Sequence, residues 1–90
     1  MTVLMSACDT NHVVFVEALL EFNNIDINLQ EKYGWTALMR SCYHGYIEIV
    51  SHLLGCKDIN VNLKDSQGNT AIMHVIGNSK NSLLLTNQLL

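Results

Sequence analysis

The sequence repeats itself at an offset of 34 residues, and this period constrains the fold more than any other feature of the chain. Identical or similar residues coincide in successive copies: Thr2, Thr36 and Thr70; Leu4, Leu38 and Ile72; Met5, Met39 and Met73; Cys8 and Cys42; Gly34 and Gly68. The third copy keeps this register through Ile76, and we expect two extra residues within 77–81. A period of this length predicts small structural units that stack on one another.

Composition excludes several classes of protein. The chain has 90 residues, enough for one small domain, and its 49% hydrophobic and 14% charged content excludes disorder. It has no apolar run near the roughly 20 residues that span a bilayer, and no basic and apolar leader typical of secretion. The net charge of −3 comes without a basic cluster. We therefore expect neither nucleic acid nor a membrane as a partner.

The cysteines indicate a reducing compartment. Cys8, Cys42 and Cys56 are odd in number and form no C-x-x-C pair, so the sequence suggests neither a disulfide framework nor a thiolate metal site. Cys8 and Cys42 share one repeat position and are predicted to be small buried hydrophobic residues. We expect an intracellular protein, cytoplasmic rather than nuclear.

Each copy divides into two helical segments and one that is not helical. In the first copy, Thr2 can cap a short helix whose apolar residues continue at helical spacing to Cys8, and residues 13–20 follow the same spacing after a polar turn. Residues 25–29 then alternate apolar and polar, which is typical of an extended chain. A turn at 31–34 ends in a glycine that can adopt positive φ. The predicted unit is helix, turn, helix and an extended finger with a β-turn at its tip.

This unit resembles the ankyrin repeat. The residues that carry the resemblance are Thr36-Ala37-Leu38-Met39, Ser41-Cys42, Gly45, Ile49-Val50, Leu53-Leu54, Asn62 and Asp65-Ser66-Gln67-Gly68. The resemblance implies an all-α solenoid of stacked helix–turn–helix pairs with β-turn fingers. It also implies a single array over residues 1–90, with repeats at about 2–35, 36–69 and 70–90, the last incomplete. The chain departs from the family in having no proline, and methionine stands at the family's histidine position.

The sequence contains no recognisable catalytic, cofactor or metal motif. The four histidines share no repeat position and show no metal-ligand spacing, and the glycines form no phosphate-binding loop. Glu48 and His52 lie four residues apart in a predicted helix, which suits a weak surface pair. We therefore predict a non-enzymatic protein without cofactor or metal.

The resemblance implies that a protein partner binds the finger tips and the concave face of the first helices. The matching residues are Lys32, Tyr33, Trp35, Tyr43, His44, Ser66, Gln67 and Asn69. Three of these, Tyr33, Trp35 and Tyr43, are aromatic, and aromatic residues supply much of the binding energy at protein interfaces. The leading hypothesis is a protein–protein interaction scaffold whose partner the sequence does not identify. The alternative is that Tyr33 and Trp35 pack against a neighbouring finger or helix as local core.

The ends of the array suggest a second hypothesis. A stacked array needs polar outer faces at its terminal repeats, yet this chain ends in an apolar pair, Leu89-Leu90. The small residues of the first two copies are replaced by Val75 and Ile76 in the third, which suggests a terminal repeat or a looser join. We therefore expect that the chain self-associates through apolar terminal repeats, with Leu85 and Leu89 in the contact, or belongs to a longer array.

Overall fold

The computed structural model describes residues 2–22 and 24–76. The helices in these ranges are α1 (Val3–Asp9), α2 (Val13–Leu20), α3 (Ala37–His44), α4 (Ile47–Leu54) and α5 (Ala71–Ile76), and a single 3-10 turn covers Lys32–Gly34. No β-strand occurs in these two ranges, and residues 25–30 form turns and irregular chain. The predicted all-α class is thus confirmed. None of the described helices is long and apolar enough to cross a membrane.

Threonine begins the first helix of the first two copies, as the repeat pattern predicts. The Thr2 hydroxyl accepts a hydrogen bond from the Met5 backbone N–H at 3.0 Å, and the Thr36 hydroxyl accepts one from Met39 at 3.1 Å. Such a cap stabilises a helix by about 1 kcal/mol. At the other end of α3, Gly45 adopts left-handed backbone angles, with φ 76°, and turns the chain into α4.

The helices form two layers. In one layer α1 packs against α3 and α3 packs against α5, while in the other α2 packs against α4. The residues between them that are at most 1% exposed include Met5, Val16, Leu38, Met39, Ile49, Val50 and Leu53. Met5 and Met39 therefore replace the family's histidine with an apolar side chain that fills the core between neighbouring copies. These contacts confirm that helix pairs stack along the chain.

The repeated cysteines belong to this core. Cys8 and Cys42 are both fully buried. Burial raises the pKa of the Cys42 thiol to about 12, and burial likewise raises the pKa of Cys8. Both thiols are therefore protonated at neutral pH and act as small hydrophobic residues, as predicted.

Hydrogen bonds fix the register of consecutive fingers. The Asn28 side chain donates to the Asp58 carbonyl oxygen at 2.8 Å and accepts from the Asn60 backbone N–H at 2.8 Å. The Gln30 side-chain amide donates to the Lys64 carbonyl oxygen at 2.7 Å. Because each bond joins residues about one repeat apart, the fingers stand side by side at a fixed offset.

The third copy is described only through α5. Val75 is fully buried and Ile76 is 72% exposed, so the bulky pair is divided between core and surface. The two extra residues expected within 77–81 and the expected apolar contact of Leu85, Leu89 and Leu90 lie outside the described residues. The extent of a repeat over 70–90 therefore stays a prediction.

Candidate functional site

The first finger carries an exposed tyrosine in a strained backbone conformation. The finger closes where the Glu31 backbone N–H donates to the Trp35 carbonyl oxygen at 3.2 Å. Inside this turn both Tyr33 and Gly34 have positive φ, at 64° and 76°. The sequence predicts positive φ for the glycine alone. A bulky residue in left-handed geometry costs about 1–2 kcal/mol, and the Tyr33 side chain is 68% exposed.

The two finger tips touch through their backbones. The Tyr33 carbonyl oxygen accepts a hydrogen bond from the Ser66 backbone N–H at 2.9 Å. A Cβ atom at Gly34 would lie 2.9 Å from the Ser66 nitrogen and 3.0 Å from the Asp65 Cα, so only glycine fits there without a shift. This contact brings together four of the predicted site residues, Lys32, Tyr33, Ser66 and Gln67, all of which are exposed.

Trp35 connects the first finger to the helices. Its ring lies 5.4 Å from the Tyr43 ring in an edge-to-face arrangement and 4.2 Å from the His74 ring, measured between centroids. Trp35 is half-buried against the core, whereas Tyr43 is 55% exposed. Trp35 therefore packs partly as local core, and Tyr33 stays outside it.

A buried carboxylate, hydrogen-bonded to a histidine and to two backbone N–H groups, holds the second finger closed. The Asp65 carboxylate lies 2.9 Å from His74 Nε2, and its other oxygen accepts hydrogen bonds from the backbone N–H groups of Gln67 and Asn69 at 2.9 Å each. Burial raises the pKa of the Asp65 carboxyl, but the hydrogen bonds from Asn69, Gln67 and His74 outweigh this effect. The pKa therefore lies below its usual value.

Asn69 and His44 hold other parts of the site together. The Asn69 carbonyl oxygen accepts from the Asp65 backbone N–H at 2.9 Å, which closes the second finger. His44 Nε2 lies 3.3 Å from an Asp9 carboxylate oxygen, and the other oxygen accepts from Arg40 at 3.0 Å. Since Asp9 is in α1 and the two bases are in α3, these bonds join the first two copies. His44 is therefore exposed, as a partner-binding residue would be, and also helps to hold the first two copies together.

The sequence reasoning missed two residues that shape the site, Arg40 and His74. A signal existed for His74, because an acid and a base stand nine residues apart at both Glu31/Arg40 and Asp65/His74. No such signal existed for the pairing of Arg40 with Asp9, which joins positions that are not equivalent in the repeat. The remaining surface offers aromatic faces, amides and the Lys32 ammonium group, which lies 5.4 Å from the Tyr33 ring centroid. These groups suit binding.

Comparison with known proteins agrees with the repeat pattern. A family model described as ankyrin repeats (3 copies) matches residues 1–65. The chain is also similar to one chain in the solved structure of the Bd0816 predatory endopeptidase from Bdellovibrio bacteriovorus in complex with immunity protein Bd3460. The two chains are 30% identical with a TM-score of 0.86, over 99% of this chain and 45% of that chain. This chain thus spans less than half the length of the similar one. No curated protein matches the sequence significantly.

Proposed function

This chain belongs to the ankyrin repeat family, and from that premise we propose that it binds a protein partner without catalysing a reaction. The proposed contact is the tip surface, defined as Lys32, Tyr33, Tyr43, Ser66 and Gln67 with the neighbouring Trp35, His44 and Asn69. The family is generally a non-enzymatic interaction module. The similar solved structure is itself a complex of two proteins, which supports a protein as the class of partner.

The observation that carries the proposal is the conformation of Tyr33. Its backbone has φ 64°, where glycine or asparagine would cost less, and its side chain is 68% exposed. The tyrosine ring has little contact with the core that could offset this strain. Strained residues that persist at an exposed turn cluster at ligand-binding sites. We therefore assign Tyr33 to partner contact rather than to folding.

Tyr43 and Trp35 extend the same contact on α3. The exposed Tyr43 ring rests edge-to-face on Trp35, which in turn contacts His74. An aromatic side chain held by such neighbours presents a large apolar area and loses little conformational entropy on binding. Tyr43 is therefore the second expected anchor, and Trp35 is the support beneath it.

The experiment is capture of protein partners from the source cells on the immobilised chain, compared among matched variants. Tyr33→Asn and Tyr43→Ser should each lose the captured partner while circular dichroism shows an intact helical fold. Phe22→Ser is the control, because Phe22 is also an aromatic residue, 65% exposed, but lies outside the tip surface. Equal capture by all four proteins would reject the tip surface as the contact.

A second candidate function is homotypic assembly, favoured by an open apolar face on the first copy. Phe15 occupies the repeat position of Ile49 but is 49% exposed where Ile49 is fully buried, and Val3 is 58% exposed where Ala37 is 1% exposed. In the second copy these positions are covered by the preceding helix pair. A second copy of the chain packed against Val3 and Phe15 would cover them in the first copy.

Light scattering over a range of protein concentrations tests this second candidate. Assembly predicts a molecular mass that rises with concentration, and Phe15→Gln should return the chain to a monomer. The tip variant Tyr43→Ser should assemble like the wild type. A wild-type monomer at every concentration would count against assembly and leave partner binding unaffected.

A further inference from the structure

A histidine and two glutamates meet on the outer surface formed by the second helices. Glu17 lies on α2, while Glu48 and His52 lie one turn apart on α4, where side chains four residues apart share a face. The two helices pack against each other through fully buried residues, including Val16 and Ile49. The packing of α2 against α4 therefore fixes the backbone positions of all three residues relative to one another.

The donor atoms of the three side chains lie close together. One donor atom from each of Glu17, Glu48 and His52 lies within 4.8 Å of the others. His52 Nε2 is 3.1 Å from the Glu17 Oε1 atom. The Glu48 carboxylate lies next to this pair but is not part of the ion pair itself. Two carboxylates and one imidazole are donor types that bind zinc in proteins, and small side-chain movements would bring them around one ion.

The charges of the cluster favour a cation. Two carboxylates this close repel each other, and no lysine or arginine forms an ion pair with either of them among the described residues. His52 is the only base in the cluster. A divalent ion between the three groups would neutralise both carboxylates at once.

We propose that Glu17, Glu48 and His52 bind a divalent transition-metal ion of the zinc class, with water completing the coordination. The mixed nitrogen and oxygen donors suit zinc, which takes four ligands, whereas Mg²⁺ and Ca²⁺ prefer six or more oxygens. Because the donors come from α2 and α4, the ion would link the first two copies and stabilise their stacking. This site is separate from the tip surface, and the sequence prediction of a chain without metal is the alternative that the titration below tests.

Zinc titration followed by calorimetry and by thermal unfolding tests the proposal, with MgCl₂ in parallel. Zinc should bind one site per chain and raise the unfolding temperature saturably, whereas Mg²⁺ should not. Glu48→Gln is the decisive variant, because Glu48 lies outside the His52–Glu17 pair. It should weaken zinc binding at least about tenfold, as should His52→Ala.

Two further variants serve as controls. His12→Ala removes an exposed histidine outside the cluster, and Cys56→Ser removes the thiol that lines the same 430 Å³ groove as Glu17 and His52. Both should bind zinc like the wild type. The proposal is overturned if zinc neither binds nor stabilises, if Glu48→Gln binds as tightly as the wild type, or if Cys56→Ser abolishes binding.

Discussion

The two fingers of this chain are closed by equivalent backbone hydrogen bonds, from Glu31 to Trp35 and from Asp65 to Asn69, but they differ in backbone angles and in the side-chain contacts that support them. In the second finger, the buried Asp65 carboxylate stabilises the turn by binding two backbone N–H groups and His74. In the first finger, Tyr33 has left-handed backbone angles at the tip, and Gly34 lies in close contact with the backbone of the second finger. The second finger thus contributes mainly to stability, whereas the first has a strained residue at its tip and exposes an aromatic ring.

This difference indicates a division of labour between neighbouring repeats. Asp65 holds the second finger closed. The Ser66 backbone N–H of that finger donates a hydrogen bond to the Tyr33 carbonyl oxygen, so the second finger supports the tip of the first. Strain at Tyr33 is tolerated because the surrounding hydrogen bonds determine the conformation. Changes to the second finger should therefore affect stability most, and changes at Tyr33 should affect binding most.

The largest expected effect follows removal of the carboxylate that closes the second finger. Asp65→Ala deletes the acceptor of two backbone hydrogen bonds and leaves His74 without its partner, which should lower the free energy of unfolding by about 3 kcal/mol. Urea unfolding followed by circular dichroism measures this. Ser66→Ala is the matched control, because its exposed side chain is lost while its backbone N–H bond stays. Equal stability of the two variants would contradict the proposed role of Asp65.

The two finger glycines should respond unequally to alanine. At Gly34 a Cβ atom would meet the backbone of Asp65 and Ser66, so Gly34→Ala should cost about 2 kcal/mol or more. At Gly68 nothing lies within 4 Å, and only its positive φ of 82° opposes a side chain, so Gly68→Ala should cost about 1 kcal/mol. The same unfolding assay compares them. A larger loss at Gly68 would show that the fingers do not touch as described.

Acid should weaken the second finger specifically. Because the pKa of Asp65 is lower in the folded chain than in the unfolded one, the unfolded chain binds the proton first, and stability falls as pH drops below about 5. Asp65→Asn cannot titrate at this position, so the stability difference between wild type and variant should shrink with falling pH. Unfolding curves between neutral pH and about pH 3 measure it, and a constant difference would refute the linkage.

The sequence predicted those parts of the molecule that repeat. The period gave the helix pairs and their order, and the threonine caps and finger glycines follow from residues that recur in each copy. Contacts between positions that are not equivalent were missed, such as Arg40 with Asp9 and His52 with Glu17. They join different elements of the array, and local patterns contain no information about which side chains meet across helices.

The site itself was predictable only in outline. The finger alignment identified Tyr33, Tyr43 and Trp35, but not the left-handed backbone of Tyr33, because tyrosine rarely adopts it. Trp35 packs against the ring of His74 in the third copy, and the His74 side chain is held by Asp65. Both features depend on packing between copies. The sequence alone therefore left two alternatives for Trp35, contact with a partner or packing as local core.

The smallest change in stability is expected at Tyr33, where it should have the opposite sign. Asparagine adopts left-handed angles more readily than tyrosine, so Tyr33→Asn should raise the free energy of unfolding by up to about 1 kcal/mol. The same substitution removes the exposed ring and should weaken partner binding. Urea unfolding and partner capture on one preparation measure both quantities. A variant that loses stability and still binds would make Tyr33 a structural residue and reverse the division between the two fingers.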